Sequence, residues 1–312
     1  MNIYITIDGG TTNTRVNLVK DLKITDTVKI SAGARAGIDN KNLLKTEIKK
    51  ALETILKSNN LSEEEICCIL ASGMITSEFG LCCLEHICTP AGIDELASSV
   101  YETVFEDITK IPFMFIRGVK SLSESFEDTD IMRGEETEIM GIMDSSYGEC
   151  IYILPGSHSK IINTDKNGRI VKFSTMLTGE MIASLSQHTI LKSAVDLGCD
   201  KINESYLLRG YDYCRDSGIN KALFKTRILK NVFGATDEEV YSFFLGVILC
   251  GEIVQIICDS AKTVVIGGKA QIKDAMKTIL EKRDNKKILV LDSETVDYST
   301  SLGAIKIYEN RK

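Results

Sequence analysis

Tryptophan is absent from this chain of 312 residues, and proline and histidine occur only three times each. No basic segment followed by an apolar block opens the sequence, so we expect no secretory signal. No uninterrupted apolar run approaches the roughly 20 residues of a membrane-spanning helix. The net charge of −7 argues against nucleic acid or an anionic membrane as a partner. These absences favour a cytoplasmic protein that acts on small molecules.

The ten cysteines lack any CxxC spacing, which removes the commonest signature of a zinc or redox site. Cys82, Cys83, His86 and Cys88 form the one metal-like cluster, but their spacing matches no standard zinc pattern. Adjacent cysteines in apolar surroundings are usually small core residues that stay reduced in a cytosol. We therefore interpret the cysteines as structural.

The length fits two domains better than one, and a hydrophobic content of 44% allows each to bury a core. The pattern of strands and turns begins again near residue 145, which predicts domains at 1–145 and 146–312. Asp39 and Asn40 offer caps for a helix with a regular apolar face, and residues 92–105 read as another helix.

The chain starts with a predicted β-hairpin whose turn has unusual chemistry. Residues 3–19 read IYITIDGGTTNTRVNLV, so two β-branched runs flank Asp8, two glycines and the hydroxyls of Thr11 and Thr12. Glycine lets backbone N–H groups approach phosphate oxygens, and a carboxylate can hold Mg²⁺ directly or through water. An ordinary tight hairpin explains the same letters, and this segment alone does not separate the two interpretations.

A second hairpin of the same design follows about one domain later. Residues 150–154 form a strand that runs into Pro155-Gly-Ser-His-Ser-Lys160, and a return strand begins at Ile161. A late strand, residues 263–266, stops at Gly267-Gly268 before a predicted helix. The Gly-Gly pair by itself is typical of a plain strand-to-helix turn. Together with two hairpins it resembles the layout of the actin-like ATPase and sugar-kinase superfamily.

Several segments carry a closer resemblance, in the same order along the chain as in one family. They are DGGTTNTR at residues 8–15, ASGMITS at 71–77, MRGEETE at 132–138, LPGSHSK at 154–160, and TGE at 178–180 followed by LSQH at 185–188. These segments resemble the motifs of the 2-dehydro-3-deoxygalactonokinase family. RGEET and PGSHSK together are specific, whereas either one alone is not.

The resemblance implies a two-lobe α/β fold of the actin-like ATPase (ribonuclease H-like) type with a nucleotide cleft between the lobes. It implies ATP and Mg²⁺ as cofactors, a sugar acid as substrate, and transfer of the γ-phosphate to the terminal hydroxyl of 2-dehydro-3-deoxy-D-galactonate. The first lobe carries the first phosphate hairpin and the substrate loop, and the second carries the other hairpin and the adenosine motif. A homodimer is compatible with this expectation.

The residues expected at the site fall into three groups. The nucleotide-binding group is Asp8, Gly10, Thr11, Thr12, Arg15, Gly156, Ser157, Gly267 and Gly268, with Asp8 also expected to hold the metal. The substrate group is Met74, Ser77, Arg133, His158 and Lys160. The catalytic group is Glu135 and Glu136, because a sugar kinase needs a carboxylate to accept the proton of the attacking hydroxyl.

The two glutamates stay open as alternatives for the base, with Glu135 the first choice. Acids in the first turn of a helix are also favoured by the helix dipole alone. Lys160 could pair with a substrate carboxylate or with phosphate, and His158 could donate to either.

Four positions depart from the family pattern. Gly9 and Ile161 stand where the family usually has Trp, Glu78 where it commonly has Arg or Asn, and Ser174 where it has Arg. The loss of two cations bears on the sugar end of the site. The alternatives are therefore a kinase of another sugar or sugar acid and, in a different class, a regulatory ATPase of the same superfamily. An activator ATPase with an iron–sulfur cluster is a third alternative, prompted by the cysteines.

Overall fold

The computed structural model describes residues 2–35, 41–268 and 270–311. The proposed helix caps Asp39 and Asn40 lie outside these described residues. The chain forms two compact units. Their segments are, for unit 1, Met1–Gly148, Thr164–Lys172 and Glu294–Lys312, and for unit 2, Glu149–Asn163 and Phe173–Ser293. The end of the first segment lies close to the predicted boundary at residue 145. The chain then returns twice to unit 1. The sequence did not predict these returns, because hydrophobic periodicity reports local structure only.

Fourteen strands lie within the described residues. They are β1 (Ile3–Gly9), β2 (Thr14–Lys20), β3 (Lys23–Ile30), β4 (Cys68–Gly73), β5 (Ile87–Cys88), β6 (Tyr101–Thr103), β7 (Phe113–Phe115), β8 (Val119–Ser121), β9 (Asp130–Met132), β10 (Cys150–Leu154), β11 (Ser159–Thr164), β12 (Ile170–Met176), β13 (Thr263–Ile266) and β14 (Lys287–Val290).

The α-helices of the described residues connect these strands. They are α1 (Lys41–Ser58), α2 (Ile93–Ser98), α3 (Glu135–Ile142), α4 (Thr178–His188), α5 (Glu204–Ser217), α6 (Ile219–Asn231), α7 (Asp237–Cys258), α8 (Ala270–Arg283) and α9 (Ser293–Glu309). The helix predicted over residues 92–105 is shorter than expected. It ends at Ser98, and the chain then forms β6, which pairs antiparallel with β7 and ends the sheet at that edge.

Unit 1 is built on a six-stranded sheet in the order β3-β2-β1-β4-β7-β6. The predicted first hairpin is present: β1 and β2 pair antiparallel from Ile3 opposite Lys20 to Gly9 opposite Thr14. β4 lies parallel to β1, with Gly73 opposite Gly9, so both strands end at the same edge of the sheet. A smaller sheet, β5-β8-β9, follows the loop after β4.

The last helix, α9, completes unit 1. Ser301 bonds both strands of the first hairpin, because its hydroxyl lies 2.7 Å from the Thr6 hydroxyl and accepts from Asn17 Nδ2 at 3.2 Å. On either side of Ser301, α9 packs directly on α3, where Gly303 faces the Thr137 carbonyl and Gly141 faces the Ser299 carbonyl. The C-terminal helix therefore holds both the hairpin and the RGEET helix.

Unit 2 is built on a five-stranded sheet in the order β12-β11-β10-β13-β14, in which β13 is parallel to both β10 and β14. Its apolar core gathers one face of this sheet with residues of α5, α7 and α8. A capping box opens α7, since the Thr236 amide donates to Glu239 at 2.9 Å and the Glu239 amide donates to the Thr236 hydroxyl at 3.3 Å.

Helix α7 is also long and apolar enough to cross a membrane by length and composition, with a mean hydropathy of 2.0 over its most apolar window. The expectation that no segment approaches membrane-spanning length therefore does not hold for α7. In the folded chain 78% of that window is buried, which is typical of the central helix of a protein core.

Candidate active site

The turn of the first hairpin is fixed by backbone bonds that leave its hydroxyls outside. The Gly10 amide donates to the Asn13 carbonyl at 2.9 Å and closes the loop. The carbonyls of Gly10 and Thr11 accept from the amides of Ala34 and Arg35 at 3.1 and 2.9 Å. The side chains of Thr11 and Thr12 are exposed. The turn is thus a rigid loop that presents two hydroxyls, as the sequence predicted.

Asp8 is the second-last residue of β1 and lies directly opposite Arg15 on β2. Burial raises the pKa of Asp8 above its ordinary value, the Arg15 guanidinium opposes this rise, and the carboxylate of Glu135 adds to it. Asp8 and Glu135 are therefore electrostatic neighbours within unit 1, although 127 positions of sequence separate them (135 − 8).

Three glycines make this arrangement possible where β1, β4 and α3 meet. A Cβ on Gly73, whose φ is +82°, would lie 2.5 Å from the Gly9 carbonyl oxygen. Gly134, with φ at +115°, brings the start of α3 against Gly73, where an added Cβ would lie 3.2 Å from the Gly73 Cα. At Gly9 an added Cβ would lie 2.7 Å from the Cβ of Ile75. We call Gly9, Gly73 and Gly134 the glycine apex; it leaves no room at residue 9 for the Trp that the family pattern carries.

The two candidate bases at the start of α3 have different surroundings. Glu136 is fully buried, and its oxygens accept from the Gly134 amide at 2.9 and 2.8 Å and from the Thr137 hydroxyl at 3.1 Å. Burial, helped by the charge of Glu135, raises the pKa of Glu136 to about 8. Glu135 is half-buried and accepts from the Arg133 amide at 3.1 Å. Glu136 therefore acts as a cap within the turn, whereas Glu135 is the more accessible of the two.

Glu138 belongs to the same group of acids, and the sequence analysis missed it. Burial raises its pKa to about 8, with further contributions from the charges of Glu135 and Asp8, while Arg15 opposes them. Its position was predictable from the sequence, because Glu135 and Glu138 are three residues apart and residues at this spacing lie on the same face of a helix. Glu138 is therefore, like Glu135, an acidic neighbour of Asp8.

Arg133 is held by the loop that follows β4. Its Nη1 donates to the carbonyl and the hydroxyl of Thr76 at 2.7 and 2.6 Å, and its Nη2 contacts the Leu84 carbonyl at 3.0 Å and His86 Nδ1 at 3.3 Å. We call residues 76–86, which overlap the cysteine-rich segment, the substrate loop. The guanidinium thus fastens both ends of this loop to the strand that precedes α3.

Two other expected substrate residues lie nearby, Met74 directly after β4 and Ser77 near the start of the substrate loop. The Ser77 hydroxyl donates to the Met74 carbonyl at 2.7 Å and accepts from the Phe79 amide at 3.3 Å. Met74 is half-buried, while Ser77 is buried. The structure therefore brings Met74, Ser77 and Arg133 together on one loop system of unit 1.

The cysteine-rich segment does not form a metal centre. Within residues 2–35, 41–268 and 270–311, no group of three or more His, Cys, Asp or Glu side chains is placed to hold a metal ion. Burial and the nearby charges of Arg133 and Lys120 lower the pKa of His86 to about 4, which keeps this imidazole neutral.

The second hairpin turn, between β10 and β11, is supported by the first turn of α4. The Gly179 amide lies 3.1 Å from both the Gly156 and Ser157 carbonyls, and the Glu180 amide lies 3.3 Å from the Ser157 carbonyl. Gly156 and Ser157 are exposed. The amides at the start of α4 therefore bind the backbone carbonyls of the turn, while Gly156 and Ser157 stay exposed to solvent.

His158 and Lys160 follow in the same hairpin. His158 Nε2 lies 2.9 Å from Glu180 Oε1, so the family's TGE segment contributes a carboxylate to this histidine. Lys160 is only 5% exposed, and its Nζ lies 3.5 Å from the His158 carbonyl. Both residues are thus adjacent to the turn, as expected from the PGSHSK motif.

The Gly-Gly turn after β13 lies against the second hairpin. The Gly267 amide donates to the Ile153 carbonyl at 2.9 Å. Gly268 has φ at +81°, and a Cβ there would come within 2.7 Å of Pro155. The structure therefore joins Gly267, Gly268, Gly156 and Ser157 in one region of unit 2.

Comparison with known proteins assigns this arrangement to a family. Residues 8–299 match the family model described as 2-keto-3-deoxy-galactonokinase. The chain belongs to this family. The family predicted from the sequence motifs is thereby confirmed.

A relative and a solved structure carry the same family name. The chain is 32% identical over 130 residues to a protein of Rhizobium meliloti strain 1021 that is assigned as a 2-dehydro-3-deoxygalactonokinase. This match spans 41% of the chain and 40% of the relative's length. A crystal structure from Sinorhizobium meliloti, assigned to the same activity, covers 97% of this chain and 95% of its own, with a TM-score of 0.78 and 20% identity.

A more distant structure shows how widely the fold is used. The activator of 2-hydroxyisocaproyl-CoA dehydratase from Clostridium difficile, solved with bound ADPNP, covers 99% of this chain and 96% of its own, with a TM-score of 0.52 and 15% identity. The predicted actin-like ATPase fold is confirmed by these neighbours. Since the fold serves activators as well as kinases, the family match decides the class of activity.

Proposed function

We propose that this 2-keto-3-deoxy-galactonokinase family member transfers the γ-phosphoryl group of ATP to the terminal C6 hydroxyl of 2-dehydro-3-deoxy-D-galactonate. The observation that carries the proposal is the close approach of Gly134 to Gly73 and of Gly73 to Gly9, which brings Glu135 near Asp8 on the segments that carry the family's motifs. A phosphate-binding turn and a carboxylate base are the two parts that phosphoryl transfer to a hydroxyl needs.

The nucleotide assignment rests on exposed turns with fixed backbones. In unit 1 we assign Asp8, Gly10, Thr11, Thr12 and Arg15 to the phosphates, because the turn presents hydroxyls beside a carboxylate and a cation. In unit 2 we assign the second turn to phosphate and the Gly-Gly pair to the adenosine; these residues are Gly156, Ser157, Gly267 and Gly268. The bound ADPNP of the dehydratase activator supports a nucleotide role for this fold.

The residues present fit Mg²⁺ held as part of a metal–nucleotide complex. Magnesium in kinase sites is usually bound by one or two carboxylates together with phosphate oxygens and water. Asp8 supplies such a carboxylate. Among the described residues, no group of three or more His, Cys, Asp or Glu side chains is placed to hold a metal ion by itself. When bound, Mg²⁺ neutralises charge on the transferring phosphate.

Glu135 is the better supported base. Its carboxylate is half-buried and accessible, whereas both oxygens of Glu136 are already used by the Gly134 amide. Glu135 accepts the proton of the attacking hydroxyl, and the buried Glu136 keeps the start of α3 in place. A base must lie within hydrogen-bond reach of the proton that it removes, which favours the accessible residue.

For the sugar acid we propose the loop system of unit 1 that contains Met74, Ser77 and Arg133. The Nη atoms of Arg133 are hydrogen-bonded to Thr76, Leu84 and His86. Arg133 therefore contributes to sugar-acid binding indirectly, by fixing the conformation of the substrate loop. The roles of His158 and Lys160 towards the substrate or the phosphate stay predictions, as do a cytoplasmic location and a homodimer.

A coupled assay tests this function directly. ADP release should depend on both ATP and 2-dehydro-3-deoxygalactonate, and the absence of release above a no-sugar blank would overturn the substrate assignment. The nearest alternative, a kinase of another sugar or sugar acid, is favoured by the loss of two cations at Glu78 and Ser174. A panel of sugar acids and neutral sugars in the same assay distinguishes the two.

A further inference from the structure

A buried glutamate in the central helix of unit 2 has no role in the site described above. Glu252 lies on α7 and is 3% exposed. Its Oε1 accepts a hydrogen bond from the Thr178 hydroxyl, while its Oε2 is buried and has no partner among the described residues. A buried polar atom without a partner costs free energy, so an apolar residue would suit this core position better for stability alone.

The partner of Glu252 leads directly to the second hairpin. Thr178 is buried and is the first residue of α4. The amides of the next two residues, Gly179 and Glu180, hold the carbonyls of Gly156 and Ser157. A single hydrogen bond therefore connects the central helix to the turn of α4 that supports the hairpin backbone.

We propose that Glu252 is a positioning residue that fixes the phosphate-binding turn at Gly156 and Ser157 through its bond to Thr178. This inference rests on the proposed role of that turn in nucleotide binding. Thr178 lies at the end of α4 that meets the hairpin, where a small rotation of the helix moves both supporting amides. The carboxylate at position 252 restrains this rotation, and this explains why an acid is placed in an apolar core.

The test compares variants of similar volume by titration calorimetry with ADPNP. Glu252→Gln keeps an acceptor for Thr178 and should bind ADPNP with a Kd within about twofold of the wild type. Glu252→Met removes the acceptor and should raise the Kd about tenfold, the equivalent of one hydrogen bond. Thr178→Val should have the same effect, and the double variant should be no weaker than either single one, because both remove the same bond.

Gln255→Met is the matched control. Gln255 lies one turn further along α7 and donates to the Ser174 hydroxyl on β12 at 2.8 Å, so its loss removes an α7 hydrogen bond that involves neither Thr178 nor the amides of α4. The control should leave the Kd unchanged. A Glu252→Met variant that binds ADPNP as tightly as the wild type, or a Gln255→Met variant that loses as much affinity, overturns the proposal.

Amide hydrogen exchange separates this inference from the proposed function. Exchange at Gly179 and Glu180 should be about tenfold faster in Glu252→Met than in the wild type, with or without nucleotide. If the wild type binds no ADPNP, the nucleotide assignment fails, and the exchange rates alone then decide whether Glu252 holds the turn. Unchanged exchange at both amides overturns the positioning role.

Discussion

Replacing Glu252 with glutamine should make stability less dependent on pH. Burial raises the pKa of Glu252 to about 7, against an ordinary value of 4.5, and the Thr178 hydroxyl opposes this rise only in part. Below pH 4.5 the carboxyl is neutral in the folded and unfolded chain, so its ionisation costs nothing. Between pH 4.5 and 7 the folded chain binds more protons than the unfolded one, and stability falls as the pH rises.

The size of the effect follows from the two pKa values. A difference of about 2.5 pH units corresponds to about 3 kcal/mol, reached fully above pH 7. Glu252→Gln should therefore unfold with nearly wild-type free energy at pH 5 and be stabilised by up to about 3 kcal/mol at pH 8.5. Because the chain has no tryptophan, urea unfolding is best followed by circular dichroism.

Glu281→Gln provides the control for this measurement, since its side chain is 49% exposed in unit 2. Its unfolding free energy should differ from that of the wild type by the same small amount at both pH values. If the curves for Glu252→Gln and the wild type run parallel from pH 5 to pH 8.5, the carboxyl of Glu252 does not titrate differently on folding, and the reasoning is refuted.

Three further outcomes test the site. Glu135→Gln should lower kcat roughly 100-fold or more while leaving the KM for ATP near the wild-type value; turnover at the wild-type rate would remove Glu135 as the base. Asp8→Asn should raise the Mg²⁺ concentration needed for half-maximal rate, and an unchanged Mg²⁺ dependence would contradict the metal assignment. Gly73→Ala should destabilise the chain by about 2 kcal/mol more than Gly148→Ala. Both glycines have positive φ, but only Gly73 faces the Gly9 carbonyl. Equal losses of stability in thermal unfolding would show that this close approach is unimportant.

The hairpins were predictable because their information is local. An alternating β-branched run, a turn rich in Gly and Thr, and a second run are enough to specify β1 and β2. The capping box of Thr236 and Glu239 is local in the same way. The length of α2 was wrong because the segment after Ser98 forms an edge strand against β7, and that pairing depends on distant residues.

The finer structure of the site depended on contacts that no short pattern contains. The sequence made Glu135 the first choice for the base but left Glu136 open, because the difference lies in which carboxylate accepts from the Gly134 amide. Arg133 was expected at the substrate, and its bonds to the substrate loop required the fold of residues 76–86 to be known. Glu252 gave no sequence signal at all, since a lone acid in an apolar helix is ambiguous.

The glycine apex has a consequence for redesign of this enzyme. Where β1, β4 and α3 meet, backbone lies against backbone, so no substitution there can reshape the site without displacing a strand. The substrate loop, by contrast, is bonded to Arg133 near both ends, and the Ile75 carbonyl accepts from the Leu81 and Cys82 amides at 2.8 and 3.3 Å, so its exposed side chains can vary while these backbone bonds persist. A library aimed at a new sugar acid should therefore leave Gly9, Gly73, Gly134 and Arg133 untouched and diversify the exposed Glu78, Phe79 and Cys83 of the substrate loop.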